Sequence, residues 1–424
     1  MSFIEQPVSK LKQKLSSPFI YNLSWLSSAE VVTRVFRIGI TAIVARFLTP
    51  YDYGLIAIIT TINEFTRVLM EAGIGTKIIQ SNSQDLKPLC NSAYWLNWAI
   101  YVGIFVVQCF AAFPIAWFYR DTQLILPICI AAIPYLIWPI GAIQCVLIQK
   151  ENKLKILAIS NTIKNISSYT LLGTLAALGM GVWSFVLSWV LVAPIDVFIY
   201  YAYHSWRPSK NINTQYWKDF FVFGKNIFGT HLLKTLRNNL DYLIIGRFLG
   251  IKELGLYFFG FNAGLGISLS FISVLNTALF PHLCAASSNL IELKKHYLHS
   301  FKAIAVIIIP LVLLQTSLAP FYVPIVFGEK WVIAIPILML ICLSAIPRAF
   351  ADAASLLLVA IGKPNLDLYW NILFTTIFTI SLFIGIHGQA IGVATTVFLV
   401  HVITIPLFIY GAVNYVFCKR RKNL

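Results

Sequence analysis

Residues 29–55 read AEVVTRVFRIGITAIVARFLTPYDYGL, a long apolar run that ends in a turn. Four polar side chains interrupt the run at spacings of four, three and four residues: Glu30, Arg34, Arg37 and Thr41. On an α-helix these spacings place the four side chains on one face. The stretch therefore predicts a helix that is apolar over most of its surface and polar along one stripe.

The turn that follows Arg46 has the residues of a helix N-terminus. Thr49 suits the N-cap, Pro50 suits the first helical position, and Asp52 supplies a carboxylate at the third. A second helix is therefore predicted to begin within these residues.

Parts of this stretch recur in the second half of the chain. Arg46-Phe47-Leu48 returns as Arg247-Phe248-Leu249, and Gly54-Leu55 returns as Gly255-Leu256, both at an offset of 201 residues. At an offset of 213, Pro134, Ile148, Lys150 and Asn152 match Pro347, Ile361, Lys363 and Asn365. Ordered matches at a nearly constant offset indicate two related halves.

The composition is typical of a protein that lies in a bilayer. Of the 424 residues, 58% are hydrophobic and 11% are charged, whereas about a quarter of the residues of an ordinary soluble domain are charged. The net charge of +16 is better explained by basic loops between apolar segments than by nucleic-acid binding. The seven cysteines form no CxxC pair and no Cys/His cluster, so neither a metal nor another cofactor is predicted.

Twelve apolar segments reach the length of about 20 residues that a bilayer requires. They run approximately over 20–46, 53–79, 88–118, 123–149, 154–178, 181–204, 220–248, 253–282, 298–326, 330–361, 366–386 and 389–417. The predicted fold class is an all-α integral membrane protein with about twelve transmembrane helices in two six-helix repeats. Because an even number of spans returns the chain to its starting side, the repeats should be parallel.

The polar stretch at 207–219 separates the two halves. The predicted organisation is a basic cytoplasmic segment (1–18), an N-lobe (19–206), a cytoplasmic linker (207–219), a C-lobe (220–418) and a basic cytoplasmic tail (419–424). Lys and Arg concentrate at the termini and in alternate turns, which predicts that both termini are cytoplasmic.

Ionisable side chains occur inside segments that should lie in lipid, where each costs roughly 2.5 to 3.5 kcal/mol. The candidate substrate-binding cations are Arg34, Arg37, Arg67, Lys164, Lys234, Arg237 and Arg348. The candidate pairing or ion-coupling acids are Glu30, Glu64, Asp241 and Asp352, and Asp196 is a further intramembrane acid. Two interpretations remain open. These groups form ion pairs that join helices, or they line a cavity whose excess positive charge attracts a phosphate or diphosphate.

Enzyme signatures are missing from the sequence. There is no GxSxG, HExxH or P-loop motif, and the predicted outer loops are too short for a catalytic domain. The chain is therefore predicted not to be an enzyme.

The turn ARFLTPYDYGLIAI at 45–58, the following EAGIGTKIIQ at 71–80 and the two-repeat plan resemble the polysaccharide-transporter branch of the MOP flippases, the Wzx-type exporters. The resemblance implies a V-shaped two-lobe fold in the cell inner membrane. It also implies alternating-access transfer of an undecaprenyl-diphosphate-linked oligosaccharide, for O-antigen or exopolysaccharide, through a cationic cavity.

The same resemblance implies roles for individual residues. Arg34, Arg37, Lys234 and Arg237 would hold the diphosphate, while Glu30, Glu64, Asp241 and Asp352 would pair with them or carry a coupling ion, a proton or sodium. Polysaccharide polymerase machinery is a further implied partner.

Two alternatives remain at the level of sequence. A MATE-type multidrug antiporter would share the two-lobe plan but would be expected to line its cavity with isolated acids. A membrane polysaccharide polymerase or ligase would need a sizeable outer loop.

Overall fold

The structure is a computed structural model that describes residues 33, 36, 37, 39–70, 73–81, 86–212, 214, 216–286 and 289–419. For residues 221–227, 230, 267, 270, 278, 418 and 419 it describes the backbone alone. The candidate residues Glu30 and Arg34, the predicted segment 1–18 and the tail beyond 419 lie outside these ranges.

Within the described ranges every regular element is helical. In the first half the helices are α1 (39–47), α2 (Pro50–Met70), α3 (Ile74–Gln80), α4 (Leu86–Tyr119), α5 (Ile125–Ala131), α6 (Pro134–Ile137), α7 (Pro139–Lys150), α8 (Leu154–Ala177) and α9 (Trp183–Tyr203). In the second half they are α10 (Trp217–Phe248), α11 (Ile251–Gly260), α12 (Gly266–Ala285), α13 (Leu290–Tyr322), α14 (Ile335–Leu343), α15 (Ala345–Ala360), α16 (Pro364–Gly385) and α17 (Gln389–Asn414). Short 3₁₀ turns span Thr122–Leu124, Glu329–Ala334 and Ile386–Gly388, and π-helical turns span Phe261–Leu265, Val323–Phe327 and Tyr415–Lys419.

Several of these helices have the length and apolar composition of membrane spans. Among the described residues, five helical stretches meet this condition, and a sixth does if the bent pair around Pro139 is one span. Phe110, Phe113 and Trp117 on α4 are 60–82% exposed, which is unfavourable in water and favourable in lipid. The chain is therefore a multi-pass membrane protein, as the composition predicts.

The predicted helix start at Pro50 is confirmed in atomic detail. The Asp52 carboxylate accepts hydrogen bonds from the Thr49 backbone amide (2.9 Å) and from the Thr49 hydroxyl (2.6 Å). The Asp52 amide in turn donates to the Thr49 hydroxyl oxygen (3.2 Å). These reciprocal bonds satisfy amides that the first turn of a helix leaves free.

Two predicted segments are interrupted. Segment 53–79 breaks at Gly73, whose φ of 79° lies in the left-handed region that glycine adopts without strain. Segment 123–149 bends by 55° where α7 begins at Pro139, because proline cannot supply the amide that would continue the preceding helix. Pro310, by contrast, lies inside the unbroken helix α13.

The chain divides into two compact units, with one boundary in the turn before α2 and the other two inside helices α2 and α10. The first unit comprises the described residues up to 48 together with 59–236, and the second comprises 49–58 together with the described residues from 237 onward. The start of α2 belongs to the second unit because Tyr53 packs there. Its ring centroid lies 4.8 Å from that of Trp331 and 6.0 Å from that of Phe259.

Within the second unit, α2 and α11 cross at two glycines. A Cβ atom built on Gly54 would lie 1.9 Å from the Ile251 carbonyl oxygen, and one built on Gly255 would lie 1.7 Å from the Pro50 carbonyl oxygen. Pro50 and Ile251 are related by the same 201-residue offset as the two glycines. The crossing is therefore reciprocal, as at an interface between two identical surfaces.

In the first unit, side chains of α4 and α7 hydrogen-bond to the start of the linker and to Trp206, the residue before it. The side chain of Asn91 accepts from the Ser209 amide (2.9 Å) and donates to the Asn211 carbonyl (3.0 Å). The side chain of Gln144 donates to the Trp206 carbonyl (3.3 Å). These bonds attach residues 206–211 to the first unit.

The turn between α7 and α8 contacts the end of α9. Hydrogen bonding to Lys153 lowers the pKa of the Glu151 carboxyl, so this group is ionised at neutral pH. Glu151 also lies 3.3 Å from the His204 ring at the end of α9.

Candidate functional site

The buried charge of the first unit lies between α8 and α9. The Lys164 ammonium is 2.7 Å from one carboxylate oxygen of Asp196, and Ser160 donates to the other at 2.8 Å. The Asp196 side chain is 10% exposed, whereas that of Lys164 is 33% exposed. The Asp196 carboxylate is thus buried and hydrogen-bonded, whereas the Lys164 side chain reaches the surface of the unit.

The second unit contains a larger group of charges. Asp241 on α10 is buried and accepts hydrogen bonds from the Tyr257 hydroxyl (2.8 Å) and the Tyr242 amide (3.0 Å). Asp352 on α15 accepts from the Asn276 amide group at 2.8 Å. Each of these acids is therefore held by a neutral donor.

Two arginines lie among these acids. The half-buried Arg237 donates to the Asn371 side-chain oxygen on α16 and interacts electrostatically with Asp352 and Asp367. The half-buried Arg348 interacts electrostatically with Asp241 and Asp352. Its Nε is buried and makes no hydrogen bond with any residue that the structure describes.

The remaining described candidates are exposed. They are Arg37 on the segment that precedes α1, Glu64 and Arg67 on α2, and Lys234 on α10, all of them in the first unit. Three of these four side chains are cationic.

The candidates thus form two classes. Lys164, Arg237 and Arg348 are partly buried and lie beside four acids, Asp196, Asp241, Asp352 and Asp367. Among the candidates that the structure describes, the excess positive charge lies on exposed side chains instead.

Asp196 was predicted from the sequence as an intramembrane acid but not as the partner of Lys164. The sequence feature that could have indicated this pair is an acid in the predicted span that follows the span of Lys164. The neutral partners Tyr257, Asn276 and Asn371 carried no sequence signal.

Known proteins share the sequence pattern of this chain. A family model described as "Polysaccharide biosynthesis protein" matches residues 43–336. The teichuronic acid biosynthesis protein TuaB of Bacillus subtilis is 26% identical over 91% of this chain and 80% of its own length. The lipopolysaccharide biosynthesis protein WzxC of Escherichia coli is 24% identical over 91% of this chain and 78% of its own length.

Solved structures share the fold. The lipid II flippase MurJ, in an inward closed conformation, matches with a TM-score of 0.76 at 14% identity, over 92% of this chain and 87% of its own. An inward-facing MATE-family multidrug resistance transporter of the MOP superfamily matches with a TM-score of 0.74 at 14% identity, over 95% of this chain and 100% of its own. The two-lobe, all-α membrane fold predicted from the sequence is thereby confirmed.

Proposed function

We propose a function for this chain from one premise: it belongs to the polysaccharide biosynthesis protein family, whose model matches residues 43–336. The chain is a flippase that moves a polyprenyl-diphosphate-linked oligosaccharide across the cytoplasmic membrane by alternating access, for the synthesis of a surface polysaccharide. Its relatives are named for polysaccharide biosynthesis, and one of them, ExoT of Rhizobium meliloti, is named a succinoglycan biosynthesis transport protein.

The observation that carries the proposal is the division of charge described above. A charged side chain exposed on a membrane helix is costly in lipid, so such groups normally face a water-filled cavity or a ligand. Arg37, Arg67 and Lys234 are exposed, and together they can offer several donors to the oxygens of a diphosphate. Arg34 remains part of this proposed site on sequence grounds.

The buried charges of the second unit have a separate role in the proposal. With all five groups ionised, two arginines (Arg237 and Arg348) face three aspartates (Asp241, Asp352 and Asp367), which leaves a formal charge of −1. One proton or one sodium ion would neutralise this cluster. We therefore assign ion coupling to the second unit and headgroup binding to the exposed cations.

The cellular setting is part of the same proposal. Undecaprenyl diphosphate is the carrier, the termini lie in the cytoplasm, and polysaccharide polymerase machinery receives the unit on the opposite face of the inner membrane. No catalytic step is assigned to the chain.

The proposal is tested by removing exposed positive charge in host cells. Arg37→Gln combined with Lys234→Gln should reduce surface polysaccharide by on the order of tenfold or more, because two charge-assisted contacts to the diphosphate are lost. The lipid-linked unit should accumulate in the same cells. The measurements are immunoblots of surface polysaccharide and thin-layer chromatography of extracted lipids.

The matched control removes the same charge from the linker and from the N-terminal part of α13. Lys210→Gln combined with Lys295→Gln changes two exposed lysines and should leave both readouts at the wild-type level. Normal polysaccharide in a well-expressed R37Q/K234Q variant would show that these cations do not hold the headgroup.

A further inference from the structure

One helix of the first unit differs in composition from its neighbours. Helix α8 has 24 residues, enough to cross a bilayer, but it is not among the five stretches that are apolar enough. Between Ser160 and Thr170, only Ile163 and Ile166 are aliphatic. Polar side chains therefore occupy the middle of a membrane helix.

Some of these polar groups are satisfied by the protein. The hydroxyls of Thr162 and Thr170 donate to the carbonyl oxygens of Ala158 and Ile166 on their own helix, each at 2.8 Å. Ser160 bonds to Asp196. These residues need no ligand.

Other polar groups on α8 are available to a ligand. Asn165 and Ser168 are partly exposed, and neither side chain hydrogen-bonds to a residue that the structure describes. Asn161, Lys164, Asn165 and Ser168 follow helical spacing and share one side of α8, which we call the α8 polar face. At mid-membrane depth, polar groups of this kind require water or a ligand.

The charge state of this face indicates the chemistry of the ligand. Because Asp196 neutralises Lys164 at 2.7 Å, the face offers little net attraction to a diphosphate. Amide and hydroxyl groups can each donate and accept, as sugar hydroxyls do. The Lys164 ammonium has a third hydrogen beyond those directed to Asp196 and Asn161, and this hydrogen can serve an uncharged oxygen.

From these observations we infer that the α8 polar face is the saccharide-binding subsite of the first unit, with Asp196 as the residue that positions Lys164. The inference rests on the proposed function. It separates recognition of the substrate into two parts on the same unit: exposed cations hold the diphosphate, and the α8 polar face binds the sugar hydroxyls.

The test compares two probes on the purified full-length protein in nanodiscs. One probe is undecaprenyl diphosphate without sugar, and the other is the lipid-linked oligosaccharide extracted from host cells that lack this protein. Asn165→Leu combined with Ser168→Ala should weaken binding of the sugar-linked probe on the order of tenfold, because two hydrogen bonds are lost. Binding of the sugar-free probe should stay unchanged.

The matched control is Thr170→Val, which removes a self-satisfied hydroxyl from the opposite side of α8 and should change neither affinity. Thermal unfolding of the N165L/S168A variant should match the wild type or exceed it, because no protein hydrogen bond is removed. A lower unfolding temperature would overturn the inference by showing a structural role.

Two binding results would also overturn the inference. The first is unchanged affinity for the sugar-linked probe, which would mean that the α8 polar face is only hydrated. The second is an equal loss of affinity for both probes. If the wild-type protein binds neither probe, the proposed function itself fails, which is a distinguishable outcome.

Discussion

The absence of a Cβ atom at two glycines allows α2 and α11 to cross in close contact. Gly54 and Gly255 each approach a backbone carbonyl of the other helix more closely than any side chain permits. Backbone atoms within a helix cannot move aside as a flexible side chain can. The two positions therefore admit only glycine while the helices keep this separation.

A substitution tests this close approach. Gly54→Ala should force the two helices apart and destabilise the protein by about 1 to 3 kcal/mol, the usual cost of overpacking. The measurement is the thermal unfolding temperature of the purified protein, followed by tryptophan fluorescence.

Gly103→Ala on α4 serves as the control because no atom lies within 4 Å of the added Cβ. Alanine is the better helix former, so this variant should unfold at the wild-type temperature or slightly above it. Equal unfolding temperatures for the two variants would contradict the crossing geometry.

Residue-level prediction from the sequence succeeded where the interaction is local. The bonds between Thr49 and Asp52 span three residues, so the spacing alone specified them. The pair formed by Lys164 and Asp196 spans 32 residues and depends on how α8 packs against α9. Hydropathy and spacing carry no information about that packing.

Among the elements, the linker shows how a polar segment can belong to a folded unit. Residues 207–219 were predicted as a separate cytoplasmic linker, and their composition gives no sign of attachment. Asn91 on α4 bonds to its backbone at Ser209 and Asn211. Gln144 on α7 bonds to the carbonyl of Trp206, the residue just before it. The bonded residues are more than 60 positions apart in the sequence. The sequence alone therefore could not predict which residues these side-chain amides bond to.

Loss of this attachment should increase the rate of proteolytic cleavage in the linker. Asn91→Ala removes two hydrogen bonds to the linker backbone, which should weaken the attachment by about 1 to 3 kcal/mol. Trypsin should then cleave after Lys210 several times faster than in the wild type, because local opening exposes the segment. The rate is measured by gel densitometry of the two fragments.

Asn365→Ala, at an exposed position outside the linker, is the control and should be cleaved at the wild-type rate. If N91A and the wild type are cleaved equally fast, Asn91 does not hold the linker.

Helix positions were the most predictable feature of the elements, because a run of apolar residues identifies a span without knowledge of its neighbours. The predicted segment 154–178 corresponds to α8 at Leu154–Ala177, and 181–204 corresponds to α9 at Trp183–Tyr203. The breaks were harder to predict, since Pro139 bends its span and Pro310 does not. Whether proline bends a helix depends on tertiary neighbours.

For the whole molecule, the charges are divided between two tasks. From the sequence, the intramembrane cations form one candidate group, which either lines a cavity or forms ion pairs between helices. The structure places Arg237 and Arg348 beside three acids in the second unit, whereas Arg37, Arg67 and Lys234 are exposed in the first. Sequence spacing located the charges but could not separate those classes, because burial is a property of the assembled helices.

This division predicts how transport depends on an ion gradient. Asp241→Asn keeps one side-chain oxygen for the Tyr242 amide and places an NH2 group that can donate to the Tyr257 hydroxyl oxygen. It removes one negative charge, so two arginines then face two aspartates. The cluster no longer needs an ion for neutrality. In proteoliposomes loaded with the lipid-linked oligosaccharide, D241N should move substrate equally fast with and without an imposed proton or sodium gradient.

Asp219→Asn changes an exposed acid beside Lys77 and should keep the gradient dependence of the wild type. Gradient-dependent transport in D241N would remove Asp241 from the coupling mechanism.

The reciprocal crossing also bears on the ancestry of the molecule. A half-length chain that met its own copy about a two-fold axis would build this contact from a single glycine, which symmetry would supply twice. After duplication and fusion, the two genetic copies could diverge at most positions, but each would have to retain its glycine here. The crossing is thus a place where two halves of one polypeptide still behave as identical subunits.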